Sequence, residues 1–84
     1  MLFRSGRVFE PDFQQARAID DWGTQVRLAH TLKGTARTLG AFDLGEAAAH
    51  LEAAATRHDR DTCRQCLDET LAQLRRVIDG LQGL

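Results

Sequence analysis

The sequence predicts an all-α protein, an antiparallel four-helix bundle with a short or truncated first helix. Three observations predict it. Ala, Leu, Arg, Gln and Glu are abundant while β-branched residues are few, a balance that favours helix over strand. Apolar residues recur at three- and four-residue spacings along most of the chain. The polar breaks between these periodic stretches are only a few residues long, as antiparallel neighbours require.

The elements follow in order. Residues 1–9 (MLFRSGRVF) are apolar and basic with Gly6 interrupting, and read as the end of a helix plus a turn. Phe3, Val8 and Phe9 need burial somewhere in the fold. Glu10-Pro11-Asp12 reads as a helix start, because proline at the first helical position forfeits no hydrogen bond and early acids suit the dipole. Phe13, Ala16 and Ile19, with Ala18 beside them, continue that short helix, and Asp20-Asp21 ends it and caps the next.

The second helix is expected from about Trp22 to Leu39. On a helical wheel Trp22, Val26, Leu28, Ala29, Leu32, Ala36 and Leu39 form one apolar sector. Gly23, Arg27, His30, Gly34, Arg37 and Thr38 lie on the other side. His30 falls roughly 140° from the centre of the apolar sector, so it should be exposed. Gly40 is placed for a left-handed C-terminal cap. Asp43-Leu44-Gly45-Glu46 has a variant capping-box pattern that would open a third helix over about 43–57. Its stripe of Leu44, Ala47, Ala48, Leu51 and Ala55 is mostly small, which allows close helix approach. Arg57 to Asp61 is a polar break with Asp59 or Asp61 available as a cap. A fourth helix, about 61–81, places Cys63, Cys66, Leu67, Leu71, Leu74, Val77, Ile78 and Leu81 on one stripe. Gly80 and Gly83 would let its end fray.

Eighty-four residues make one small domain with limited burial. The formal net charge of -1 argues against a general nucleic-acid binder. No apolar run approaches the roughly 20 residues of a membrane span, so no membrane contact is expected of this domain. Met1 to Arg4 is too short to read as a signal peptide, and two cysteines without one suggest a reducing, cytoplasmic setting.

His30-Thr31-Leu32-Lys33-Gly34, followed six residues later by Gly40, resembles the signature of histidine-containing phosphotransfer domains. Asp21-Trp22 upstream, Leu28-Ala29 before the histidine, and Leu44 and Leu51-Glu52 after it extend the likeness from about Phe3 to Leu81. The phosphate-accepting domain of chemotaxis kinases shares the bundle and a similar motif; the short length and Asp21-Trp22 favour the phosphorelay type. The resemblance implies a single domain over residues 1–84, of a kind found both free-standing and at the C-terminal end of hybrid sensor kinases. It implies a four-helix bundle with a phosphorylatable His30 on the second helix, and a first helix fuller than residues 1–9 offer here. It also implies a two-component phosphorelay role without autonomous catalysis. The phosphoryl group would be exchanged with the aspartate of a response-regulator receiver domain, which brings its own Mg²⁺, so no cofactor is expected on this chain.

The chemistry suits the residues. Phosphoryl transfer asks mainly for positioning and charge stabilisation. An imidazole, with an unperturbed pKa of about 6.5, offers a neutral nucleophilic nitrogen near pH 7. A rigid helix face presents it better than a mobile loop. Lys33, one turn on, is a candidate cation for the phosphoryl oxygens, and Arg27 and Arg37 can add to the local field. Gly34, one turn past His30, leaves room for the phosphoryl group and the partner. By the resemblance, Glu52 matches a position where Gln or Glu contacts the other imidazole nitrogen.

Other readings use the same residues. A lone exposed histidine among helix-surface cations is commonplace, and a helical docking module that binds a receiver or another partner without transfer would need only the face around His30. No second catalytic group stands at triad spacing, and no glycine-rich nucleotide loop is present. Cys63-x-x-Cys66, with His50 and His58 upstream, raises a metal or redox reading. Both cysteines fall on the apolar stripe of the fourth helix, where free cysteine acts as a small hydrophobe.

Overall fold

A computed structural model of the protein describes the backbone of residues 2–82 and the side chains of residues 9–80. It contains four helices: α1 (Leu2–Ala18), α2 (Trp22–Thr38), α3 (Phe42–Thr56) and α4 (Arg60–Gln82). Each pair of successive helices is joined by only three residues, so the chain must reverse direction at every turn. Among the described residues α1 packs on α2 and α4, and α3 packs on α2 and α4, while the diagonal pairs do not meet. This is an up-and-down ring of four helices. The 23 residues of α4 span about 34 Å, close to the 38 Å long axis of the molecule.

The first helix corrects the sequence reading. It is not short, and Glu10-Pro11-Asp12 does not start it: α1 runs 17 residues from Leu2 to Ala18 with Pro11 inside. Proline there removes one backbone donor and strains the preceding turn. Burial of the flanking rings offsets that cost. Phe9 and Phe13, one turn apart across Pro11, are 4% and 0% exposed, and their centroids lie 5.4 Å apart. A buried side chain of that size contributes about 1.5–3 kcal/mol. Of the remaining apolar residues in that stretch, Phe3 and Val8 have side chains outside the described residues.

The core is continuous through the bundle. Ala29, Leu32 and Ala36 of α2, Leu44, Ala48, Leu51, Ala54 and Ala55 of α3, and Cys63, Leu67, Leu71 and Leu74 of α4 enclose Phe9 and Phe13. Trp22, Val26, Leu28, Cys66, Val77 and Ile78 pack at its edge. Two residues depart from the expected α2 sector. Leu39 is 39% exposed, because α2 ends at Thr38 and the chain has already begun to turn. Gln25, in the first turn and outside the expected apolar sector, is buried, with Oε1 lacking a hydrogen-bond partner among the described residues. Buried Thr70, by contrast, donates from Oγ1 to the Cys66 carbonyl at 2.6 Å. Leu81 has its side chain outside the described residues, and Gly83 lies outside them altogether.

The three turns share one construction. Asp20, Gly40 and His58 each take a positive φ, of 55°, 77° and 55°. The next residue's N–H reaches back five positions, from Asp21 to Ala16, Ala41 to Ala36 and Asp59 to Ala54, at 2.8, 2.8 and 3.0 Å. The left-handed residue's own N–H reaches back three positions, to Arg17, Arg37 and Ala55. These are Schellman motifs, which satisfy the last carbonyls of each helix. The residue that closes each motif is also the N-cap of the next helix, so no linker intervenes. Asp21 and Asp59 cap with their side chains, each accepting from the N–H and hydroxyl of a threonine three residues on, Thr24 and Thr62. The capping box expected at Asp43 and Glu46 does not form. Gly40 fixes the turn one step earlier, so α3 starts at Phe42 with Ala41 as an N-cap that has no side-chain hydrogen bond.

Candidate functional site

His30 stands on α2 as the wheel requires, pointing away from the buried row of Ala29, Leu32 and Ala36. Its side chain is 66% exposed. α3 runs alongside, and its Glu52 faces both His30 and Lys33. Oε2 of Glu52 lies 2.8 Å from Nδ1 of His30, and Oε1 accepts from Nζ of Lys33 at 2.6 Å. Lys33 and Glu52 are 19% and 21% exposed, so the ion pair is partly covered while the imidazole projects beyond it.

Neither geometry nor charge is accidental here. Positions 30 and 33 are one turn apart, so both side chains lean to the same side of α2. The small residues of α3, with Gly45, Ala48 and Ala55 buried, let α3 come close enough for a glutamate to span both. The hydrogen bond from the Lys33 ammonium does most to hold the Glu52 carboxyl below its ordinary range; burial opposes it, and the His30 hydrogen bond adds a smaller push downward. Glu52 is therefore an anion at neutral pH. A carboxylate can only accept, so the hydrogen shared with His30 sits on Nδ1. That tautomer leaves Nε2 with its lone pair free, and Nε2 has no hydrogen-bond partner among the described residues.

Gly34 is exposed one turn beyond His30, and a Cβ built on it would meet nothing within 4 Å. The helix does not need glycine at this position for packing. Its Oγ neighbour Thr38 hydrogen-bonds the Gly34 carbonyl at 3.0 Å, so the backbone there is helical and satisfied.

The two arginines are not gathered into the site. Arg27 hydrogen-bonds Thr24 at 3.4 Å and lines the groove between α1 and α2, with Asp12, Leu28 and Thr31. Arg37 lays its stem over Gly45 of α3, where a methyl group would lie 3.4 Å from its Cγ. Neither makes a polar contact with His30 or Glu52. Of the residues singled out from the sequence, the structure brings His30, Lys33 and Glu52 together, and the sequence did not foretell that Lys33 is engaged by Glu52.

The family follows from this frame. The Hpt domain family model matches residues 1–83. The chain belongs to the Hpt domain family. No curated protein and no solved structure gives a match. Hpt domains are helical bundles that carry phosphoryl groups on histidine and interact with receiver domains in two-component phosphorelays.

The remaining polar residues are arranged otherwise. His50 is exposed, and His58 stacks flat on Trp22. Cys63 is buried and Cys66 half-buried, both are free thiols, and burial pushes both upward, away from the reactive thiolate. Among the described residues no group of three or more His, Cys, Asp or Glu side chains could hold a metal ion. None of the described helices is long and apolar enough to cross a membrane.

Proposed function

We propose that this Hpt domain is a phosphorelay intermediate that carries a phosphoryl group on Nε2 of His30 and exchanges it with the aspartate of a receiver domain. The observation that carries the reading is the exposed imidazole whose Nδ1 is tied to Glu52 at 2.8 Å. In the accepting step the Nε2 lone pair attacks phosphorus, the P–N bond forms, and the bond to the aspartate oxygen breaks with its electron pair returning to the carboxylate. The ring gains positive charge as it does so, and the Glu52 anion stabilises it. Such aimed charge is the main aid a protein gives to this reaction. Lys33 lies beside the ring and can turn from Glu52 to the arriving phosphoryl oxygens. Gly34 keeps the approach open. Arg27 and Arg37 add positive field from the flanks rather than direct contact.

The Mg²⁺ of the reaction is assigned to the receiver, and no cofactor to this chain. The same chemistry serves a free-standing cytoplasmic protein or a domain of a hybrid histidine kinase.

Incubation with a phosphorylated receiver should place an acid-labile, base-stable label on the wild-type domain and none on His30→Gln. Label on His30→Gln overturns the assignment. The docking-only alternative requires a wild type that takes no label and a receiver affinity equal in wild type and His30→Gln.

A further inference from the structure

Glu52 does more than orient a ring. Before phosphorylation its carboxylate and the Nδ1–H of His30 are well matched. After phosphorylation on Nε2 the ring has two forms. The neutral form puts a lone pair on Nδ1, directed at a carboxylate oxygen that can offer no hydrogen. The cationic form puts a proton on Nδ1, which Glu52 accepts in a charge-assisted bond. The carboxylate is kept ionised by the ammonium of Lys33 on its other oxygen. The charged groups that face the ring are Lys33 from α2 and Glu52 from α3. On the α1 side Asp12 and Arg27 line the adjoining groove. α4 lies diagonally across the core from α2 and contributes none.

We propose, resting on His30 as the phosphoacceptor, that Glu52 holds phosphorylated His30 in its Nδ1-protonated form and thereby makes it a short-lived, strong phosphoryl donor. When the group leaves, the P–Nε2 bond breaks and its electron pair stays on Nε2. The ring departs as neutral imidazole with Nδ1–H still on Glu52. The phosphoryl group passes to a receiver carboxylate oxygen, or to water, which then releases a proton to solvent. From the unprotonated form the leaving group would be an imidazolate anion, which departs far less readily. A glutamine at position 52 would remove the preference, because its neutral amide can donate from NH₂ to the Nδ1 lone pair as readily as its oxygen accepts from Nδ1–H. Glu52 is thus a positioning residue whose charge, beyond its shape, sets the lifetime of the phosphorylated state. The domain passes the phosphoryl group on rather than storing it.

The test uses phosphoramidate as the donor, so that no receiver is involved, with the wild type and the isosteric Glu52→Gln. The lifetime of the label is followed from pH 5 to pH 10, and ring ¹⁵N NMR at pH 7.5 reads the protonation of Nδ1 in the phosphorylated domain. The wild-type lifetime curve should lie about one pH unit or more to the alkaline side of the variant's, so that near neutral pH the wild type loses label about tenfold faster. The curves should converge at pH 5, where both rings are protonated. Nδ1 should read as protonated in the wild type and as a lone pair in Glu52→Gln. Coincident curves with the same ring signature in both proteins overturn the inference and leave the carrier function standing. Failure of phosphoramidate to label His30 overturns the carrier reading and the inference together. Circular dichroism on Glu52→Gln and Glu52→Ala separates these results from loss of fold. Glu52→Ala, which also lacks the carboxylate charge, should track the glutamine variant.

Discussion

His30 on α2 and His58 in the turn before α4 each touch a residue far along the chain, and they are held in opposite ways. His30 is gripped by its edge: one nitrogen faces Glu52, and the rest of the ring stands in solvent. His58 is gripped by its face. Its ring lies on Trp22 with centroids 4.9 Å apart and planes only 8° from parallel, so the turn into α4 is clasped to the start of α2. Arg60 covers the same indole at 6.0 Å and pairs with Asp20 of the first turn. One histidine keeps a reactive atom free on a regular helix. The other takes a positive φ in a turn and spends its surface on stacking. Exposure alone does not separate them, since both are exposed; what separates them is which part of the ring the protein occupies.

The largest expected effect comes from exchanging the two residues for glutamine in turn. His30→Gln should abolish phosphoryl acceptance from a receiver, while His58→Gln should leave it within about twofold of wild type, a margin under 0.5 kcal/mol in barrier. Equal losses in both would erase the distinction drawn here.

Next in size is Gly34→Gln, which places a side chain where the structure has open space. Helicity should be retained and transfer should fall steeply. Gly34→Ala should raise stability in urea by about 1 kcal/mol, since a mid-helix glycine is costly and a Cβ meets nothing. Stabilisation with impaired transfer would show that the glycine serves the partner's approach.

Lys33→Ala should slow transfer about tenfold, the loss of one charge-assisted contact in the barrier, with substrate docking largely kept. Stopped-flow transfer from a phosphorylated receiver measures it, and an unchanged rate would confine Lys33 to holding Glu52.

His58→Ala should act on the fold alone. Loss of the stack should cost about 0.5–1.5 kcal/mol in urea unfolding. A transfer rate that drops with it would mean that the turn clasp feeds into the site.

The smallest effect is one of pH. Glu52 is held below its ordinary value of 4.5, chiefly by Lys33, and Asp21 and Asp59 below 3.8, chiefly by the hydroxyls of Thr24 and Thr62. Groups lowered in this way stabilise the fold fully above their ordinary values, and that share is lost as pH falls through the folded ones. The urea midpoint should therefore decline below about pH 4.5, and Glu52→Gln and Asp59→Asn should each show a shallower decline. Slopes equal to wild type would remove these carboxylates from the acid limb.

Much of the site was legible because a helix has a fixed period. Ala29, Leu32 and Ala36 define the inner face of α2, so His30 and Gly34 had to lie outside it. The pairing of Glu52 with His30 entered by likeness to a family, because residues 22 positions apart on separate helices meet only through packing register. The engagement of Lys33 was missed for the same reason. Two paired signals in the sequence went unused: Asp21 with Thr24, and Asp59 with Thr62, the same acid-and-threonine spacing at two helix starts.

By itself the sequence determined the all-α class, the three main turns near Asp20, Gly40 and His58, and the outward face of α2. All of these depend on interactions within a few residues along the chain. Tertiary structure alone decided that α1 passes through Pro11, where burial of Phe9 and Phe13 outweighs one missing hydrogen bond. It also decided that Gln25 goes inside and Leu39 outside, that α3 begins at Phe42, and that one carboxylate serves both His30 and Lys33. Those outcomes turn on how far one helix slides and rotates against another, and helical periodicity carries no information about that offset.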